Sequence, residues 1–260
     1  MKIQIITSPR MGSTYFYNML RSFYNPYQHF IKWNEVFNLH DRKPDQDIQK
    51  IIHDSKTNTD IVAKNHINYF QNVPHSELRK YLETINWHNI VLLRKNFFDT
   101  SLSLAKSFTT NEWTSYTEKS HDITISLELF QSCMDTNYHN IKSIIHNLYN
   151  IPYHDIIYYE DLAFNHKDDF PKLKIEKTYD YKQMRDWYPE INPWRNNSSI
   201  TPSPDKKTTI SNYTELKEYA QTKYHNYKSK RFVINNGYVR RINWDTRYLD
   251  IDDFNMYNDN

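Results

Sequence analysis

The sequence predicts an α/β domain with a central, mostly parallel sheet flanked by helices. Three observations carry this reading. Strand-like and helix-like patterns alternate along most of the chain, the order that βαβ units produce. Ile90-Val91-Leu92-Leu93 is a continuous apolar run, which suits a strand buried on both faces of a parallel sheet. The chemically unusual residues follow the predicted strands, at Ser8–Thr14, Lys64–His66, Arg94–Ser103 and Tyr159–Asp161, where open α/β sheets bind ligands.

In chain order, Lys2–Thr7 reads as a strand through Ile3, Ile5 and Ile6. Thr14–Tyr24 reads as a helix, with Phe16, Met19, Leu20 and Phe23 at helical spacings. Pro44–Ser55 is a second helix: Ile48, Ile51 and Ile52 share a face, and Pro44 stands in the first turn, where proline is tolerated. Asp60–Lys64 is a short strand, and Ser76–Ile85 a helix with Ser76 as its N-cap. Asn89–Arg94 is the buried strand, followed by a helix over Asn96–Ser107. Ile123–Leu148 is a long amphipathic helix, His154–Tyr159 a strand, and Asn212–Lys223 the last helix. Between Ala163 and about Pro204 the chain is polar and broken by Pro171, Pro189, Pro193 and Pro202, which reads as surface loops. The tail from Phe232 carries no assignable period.

The length of 260 residues fits one large α/β domain. The 33 Lys and Arg nearly balance the 31 Asp and Glu, which argues against a nucleic-acid binder. Hydrophobic residues are only 38% and mean hydropathy is −0.88, but 22 Tyr and 13 Phe supply large buried area, so a sizeable core is expected. The lone Cys133 excludes an internal disulfide and a cysteine-based zinc cluster, and reads as a small apolar residue inside a helix. No apolar run approaches the ~20 residues of a membrane span. The start of the chain is too short for a signal peptide before Pro9, so a soluble, cytoplasmic protein is expected.

Glycine is scarce: only Gly12 and Gly237 occur. This excludes a dinucleotide fingerprint and a Walker A loop, each of which needs several glycines in a short span. Gly12 lies in Ser8-Pro9-Arg10-Met11-Gly12-Ser13-Thr14-Tyr15, between a predicted strand and a predicted helix. Backbone N–H groups at such a turn, at the positive end of the helix dipole, make an anion site. Ser13 and Thr14 add hydroxyls, and Arg10 adds a planar cationic fork. The plainer alternative is a helix capped by Ser13. At the other strand end, Arg94 and Ser103 are placed to share a phosphate, or Arg94 simply pairs with Asp99.

Together these loops resemble the cofactor-binding elements of the sulfotransferases that use 3′-phosphoadenosine-5′-phosphosulfate (PAPS). That family's first signature is a strand, then Pro-Lys/Arg-x-Gly-Thr/Ser-Thr, then a helix; here it is Pro9-Arg10-Met11-Gly12-Ser13-Thr14. Its second is an apolar strand ending in Arg with a Ser eight or nine residues on; here it is Val91-Leu92-Leu93-Arg94 with Ser103. A third, Tyr-Glu-Asp-Leu at a strand end, is present as Tyr159-Glu160-Asp161-Leu162. The resemblance covers roughly residues 1 to 165 and implies a P-loop-like fold with residues 1–165 as a cofactor-binding core and 166–260 as a loop-rich remainder. It implies that Arg10, Met11, Gly12, Ser13 and Thr14 grip the 5′-phosphosulfate and that Tyr15 and Tyr159 approach the adenine. Arg94 and Ser103 would bind the 3′-phosphate, with Ser101 an alternative. Three features depart from the family pattern: Arg10 stands where many members have Lys, the Arg94–Ser103 spacing is nine, and the family's glycine-rich C-terminal segment is missing. Arg240 or Arg241 would have to stand in for that segment.

Sulfuryl transfer needs a base for the acceptor hydroxyl or amine, usually His or a tuned carboxylate near pH 7. Lys64-Asn65-His66 follows a predicted strand and resembles the Lys-x-His of cytosolic members, where the His is the base. Glu35, in Asn34-Glu35-Val36-Phe37-Asn38, resembles the Glu-x-Phe-Asn element of bacterial carbohydrate sulfotransferases and is the second candidate. Lys64 and Arg10 would stabilise charge on the departing and sulfuryl oxygens. The histidines show no metal-ligand spacing, and no metal is expected. The loops at Phe23–Asp41, Ser107–Asp122 and Leu162–Pro204 are rich in Tyr, Trp and Asn, which suits a carbohydrate, glycolipid or polar metabolite as acceptor. Two competing readings are a nucleotide or phosphometabolite kinase with a degenerate phosphate loop, and a non-catalytic protein that keeps the fold. The kinase is disfavoured by the absence of Gly-Lys-Ser/Thr.

Overall fold

The computed structural model describes residues 2–14, 16, 17, 20, 31–38, 44–57, 61–94, 96–111, 113, 122–145, 147–159 and 209–228. Within them five strands form one sheet: β1 (Lys2–Thr7), β2 (Ile31–Asn34), β3 (Ile61–His66), β4 (His88–Leu93) and β5 (Asp155–Tyr158). The order is β2-β3-β1-β4-β5 and every pairing is parallel. The described helices are a first one opening at Ser13, then α1 (Pro44–Thr57), α2 (His75–Thr84), α3 (Phe97–Thr110), α4 (Leu127–Ile145) and α5 (Tyr213–Lys228), with a 3₁₀ segment over Ile67–Asn72. The expected α/β sheet flanked by helices is therefore present.

The central strands are apolar because they are covered on both sides. Ile3, Ile5, Ile6, Ile90, Val91 and Leu92 are all buried, with helices α3 and α4 packed along one another and α1 against α2. In a parallel sheet built this way the strands lose the apolar–polar alternation of a half-exposed sheet. The core extends through Phe37, Phe70, Tyr81 and Trp87, whose rings meet edge-to-face or tilted at centroid distances of 5.0–5.4 Å.

Several element boundaries differ from the sequence reading. Strand β2 falls inside a segment read as loop. Lys64, Asn65 and His66 are the last three residues of β3 rather than residues after it. Helix α2 begins at His75 behind Pro74, without a side-chain cap, so Ser76 is inside the helix and does not cap it. Asn96 caps α3, accepting from the Asp99 N–H at 2.8 Å. Helix α4 starts at Leu127, not Ile123, because Ile123 forms a parallel bridge to Ile210 and the Ser126 hydroxyl accepts from the Leu129 N–H. Cys133 is buried in α4.

The topology fixes where a ligand would meet the sheet. From β1 the chain proceeds toward β2 on one side, and from β4 toward β5 on the other. Neighbouring strands whose connections diverge open a crevice at their carboxyl ends. That crevice lies between the ends of β1 and β4, where Thr7 Oγ1 donates to the Leu92 carbonyl at 2.9 Å.

Candidate active site

The loop after β1 is held from below. Ser8 is buried and its hydroxyl accepts from Asn140 Nδ2 at 2.9 Å, an anchor on α4. Met11 is fully buried, so the segment Arg10–Gly12 is pinned between two fixed points. Arg10 has φ 65° and Gly12 φ 77°, both in the left-handed region. The Gly12 carbonyl accepts from the Phe16 N–H at 3.1 Å, which makes Gly12 the N-cap and Ser13 the first helical residue. The alternative of Ser13 as cap is corrected by this bond. Glycine is required at position 12 for a second reason: a Cβ there would overlap the ring of Tyr159, which lies directly on it.

Tyr159 follows β5 and so crosses from the far side of the crevice. The Arg94 guanidinium lies 5.1 Å from the centroid of its ring, a cation–π contact. Arg94 also pairs with Asp99 in the first turn of α3, the partner weighed from sequence. Arg10 reaches the same region. Its Nε donates to Ser103 Oγ at 2.9 Å and its Nη1 to the Trp113 carbonyl at 2.8 Å. Both acceptors are neutral, and burial together with the positive charge of Arg94 lowers the Arg10 pKa. Two half-buried guanidiniums close enough for one charge to act on the other are an arrangement that an anion stabilises.

Ser103 and Ser101 are separated by the turn of α3. Ser103 faces the loop and meets Arg10, whereas Ser101 is wholly buried and accepts from Asn137 Nδ2 at 3.2 Å. Ser101 thus belongs to the polar network that anchors Ser8, not to the arginine cluster.

The third cation comes from β3. Alternation along a strand puts Lys64 and His66 on one side and Asn65 on the other. Lys64 Nζ donates to Thr14 Oγ1 at 3.2 Å and to Glu35 Oε1 at 2.9 Å, tying the β2 end to the first helix. Glu35 stands just past β2 with φ 55°. Its N–H donates to the Lys64 carbonyl at 2.6 Å, and its Oε2 accepts from Asn38 Nδ2 at 3.2 Å. Burial raises the Glu35 pKa, but His66, Lys64 and Asn38 outweigh it and the carboxyl ends below its ordinary value.

His66 Nε2 lies 3.7 Å from Glu35 Oε1, and the ring stacks on Tyr69 at 5.6 Å. Neither ring nitrogen has a hydrogen-bond partner among the described residues. Burial, with the Lys64 charge, drives the His66 pKa down to about 4, against a smaller upward pull from Glu35. The imidazole is therefore neutral at pH 7 and in its proton-accepting form.

Asn65 was not singled out by sequence, yet it holds this corner together. Its Oδ1 accepts from the Val36 N–H at 3.1 Å and its Nδ2 donates to Tyr81 OH at 3.1 Å. The only sequence signal was its place between Lys64 and His66. The Trp113 carbonyl has no signal in the sequence, whereas Asn38 is the asparagine of the Glu-x-Phe-Asn element, to which the structure adds its bond to Glu35.

The two base candidates expected as alternatives, His66 and Glu35, are neighbours. Arg10, Ser103, Arg94, Tyr159 and Gly12 form one chain of neighbours, and the Lys64–Thr14 pair joins it through the start of the first helix. Tyr15, Glu160, Asp161, Leu162, Arg240 and Arg241 lie outside the described residues, as do the expected loops over 163–204. Among the described residues no group of three or more His, Cys, Asp or Glu is placed to hold a metal ion, and no helix is long and apolar enough to cross a membrane. Compared with protein-family models, with curated proteins and with solved structures, the chain matches none.

Proposed function

We propose that this chain is a PAPS-dependent sulfotransferase, of P-loop-like fold, that moves a sulfuryl group to a hydroxyl of a carbohydrate, glycolipid or polar metabolite. The observation that carries the reading is the gathering of Arg10, Lys64 and Arg94, from three different strand ends, around the N-terminus of the first helix. Three cations and a helix N-terminus at one crevice fit a ligand with several phosphate-type oxygens.

PAPS would supply the sulfuryl group and leave as adenosine 3′,5′-bisphosphate. On this reading the residues 10–14 loop and Lys64 hold the 5′ end, while Arg94 and Ser103 hold the 3′-phosphate. Tyr159, between Gly12 and Arg94, offers a ring to the adenine. His66 takes the acceptor proton. Its depressed pKa keeps it neutral at pH 7 but makes it a weak base, and Glu35, 3.7 Å from Nε2, offsets that by stabilising the imidazolium. Glu35 itself is engaged by Lys64 and Asn38, which leaves it less suited to accept the proton.

The test is a thermal-shift comparison of adenosine 3′,5′-bisphosphate, adenosine 5′-monophosphate and ATP–Mg²⁺. A ligand at 100 times its Kd stabilises the fold by about 2.7 kcal/mol. A shift with the bisphosphate and not with ATP–Mg²⁺ is expected. A shift with ATP–Mg²⁺ alone favours a kinase, and no shift with any of the three overturns the reading.

A further inference from the structure

We infer that Asp99 is an internal stand-in for the ligand's phosphate, a specificity-determining residue that makes Arg94 selective for a strongly charged anion. The inference rests on the cofactor reading above, since it assigns Arg94 to the 3′-phosphate.

Three observations place Asp99 in this role. Its carboxylate pairs with Arg94 Nη2, a terminal nitrogen of the fork that an incoming phosphate would use. Its backbone is fixed, because the Asp99 N–H donates to Asn96 Oδ1 in the cap of α3. The Arg94 guanidinium also lies over the ring of Tyr159, 5.1 Å from its centroid, and so stands beside the loop that Tyr159 covers at Gly12. The pair is also in the right place to be exchanged: the side chains of Arg94 and Asp99 retain 14% and 18% of their exposure, so neither is sealed in the core.

The chemistry then sorts ligands by charge. A carboxylate carries one negative charge, and a phosphate monoester carries about −1.5 to −2 at pH 7 with three acceptor oxygens. A 3′-phosphate can therefore take Arg94 from Asp99, whereas a neutral 3′-hydroxyl cannot. Asp99 also lies next to any anion seated on Arg94 and repels it, so the selectivity is obtained at the expense of absolute affinity.

The experiment measures the Kd of adenosine 3′,5′-bisphosphate and of adenosine 5′-monophosphate by calorimetry, for the wild-type chain and for Asp99→Asn. Asparagine keeps the size and removes the charge. The bisphosphate is expected to bind about tenfold tighter to the variant, as one charge-assisted bond ceases to be contested. The monophosphate is expected to change by less than about twofold. Bisphosphate binding that is unchanged or weaker in Asp99→Asn overturns the inference, the weaker case meaning that Asp99 positions Arg94 for the ligand. An equal gain for both ligands also overturns it, since the effect would then be general electrostatics. If the wild-type chain binds neither ligand, the cofactor reading itself fails and this inference falls with it. Circular dichroism of Asp99→Asn, with Asp99→Ser as a second variant, separates any of these outcomes from misfolding.

Discussion

Each end of the sheet holds a histidine beside a carboxylate, and the two pairs are built in opposite ways. At the amino end, His88 Nε2 sits 2.7 Å from Asp155 Oδ2, and the neighbouring His154 Nδ1 accepts from the Asn89 N–H at 3.0 Å. The His154 N–H donates to the Asn89 carbonyl at 2.9 Å, and Asn89 Nδ2 to the Pro152 carbonyl at 3.0 Å. This corner is closed by short bonds between adjacent strands. At the carboxyl end, His66 stands 3.7 Å from Glu35, and its nitrogens have no partner among the described residues. A buried group left unbonded costs about 1–3 kcal/mol. Backbone strain follows the same division. Among described non-glycine residues at positive φ, three are asparagines, which tolerate that region, and the other two are Arg10 and Glu35 at the carboxyl end. Left-handed backbone at two residues that are neither glycine nor asparagine, beside a buried histidine without a hydrogen-bond partner among the described residues, singles out the carboxyl end as the candidate site.

The largest expected effect separates the two histidines by activity. His66→Ala should slow bisphosphate release from PAPS in the presence of acceptor by about 10²–10⁴-fold while leaving bisphosphate binding in place. His88→Ala should leave that rate unchanged; equal losses in both variants would erase the distinction between the ends. If Glu35→Gln abolishes turnover while His66→Ala does not, the base is Glu35.

A second test uses pH. Between its ordinary pKa of 6.5 and its folded value of about 4, His66 takes a proton in the unfolded chain but not in the folded one. Stability is therefore intact above about pH 6.5 and falls toward pH 4, by about 3 kcal/mol in all. Urea titrations across this window should show the loss in the wild-type chain and a flatter profile in His66→Phe. A variant with the same slope as wild type would mean that the imidazole is not held neutral.

The closed corner should respond to a deletion in stability alone. Asp155→Asn is expected to cost about 1.5–3 kcal/mol at neutral pH, the range for a hydrogen bond to a charged group, with ligand affinity unaffected. The smallest effect concerns the contact at Gly12. Gly12→Ala should destabilise the fold, and adding Tyr159→Ala should recover about 1 kcal/mol of that loss in a double-mutant cycle. The residual loss reports the left-handed φ, which alanine resists with or without the tyrosine. Strict additivity would mean that the ring does not rest on the loop.

The sheet was legible where burial on both faces left long apolar runs, as in Ile90–Leu93, and where strand and helix periods alternated cleanly. β2 was not, because Ile31-Lys32-Trp33-Asn34 is a short edge strand whose composition resembles the loops around it. The start of α4 was misread because Ile123 and Ile125 are buried by a bridge to Ile210 and by packing, not by helical periodicity. Arg10, Arg94 and Ser103 could be picked out in sequence since each follows a strand in a loop of unusual chemistry. That His66 and Glu35 are neighbours could not be, because the contact depends on β2 pairing beside β3 with Asn34 level with Lys64. The role of Asn65 was hidden for the same reason, as its partners Val36 and Tyr81 lie on two other elements. Ser101 and Ser103 are told apart only by the rotation of α3, which no spacing rule fixes to one residue.

Cys133 gives the molecule a built-in clock. It is the chain's single thiol, 2% exposed in α4, with burial pushing its pKa up to about 11. The reactive form of a cysteine is the thiolate, so the native protein is doubly shielded from alkylating reagents, by access and by protonation. Modification then proceeds through conformations in which α4 has opened. The labelling rate of unmutated protein therefore counts those openings, and its slowing on addition of a ligand would time how far occupation at the carboxyl end of the sheet steadies the helix that anchors Ser8.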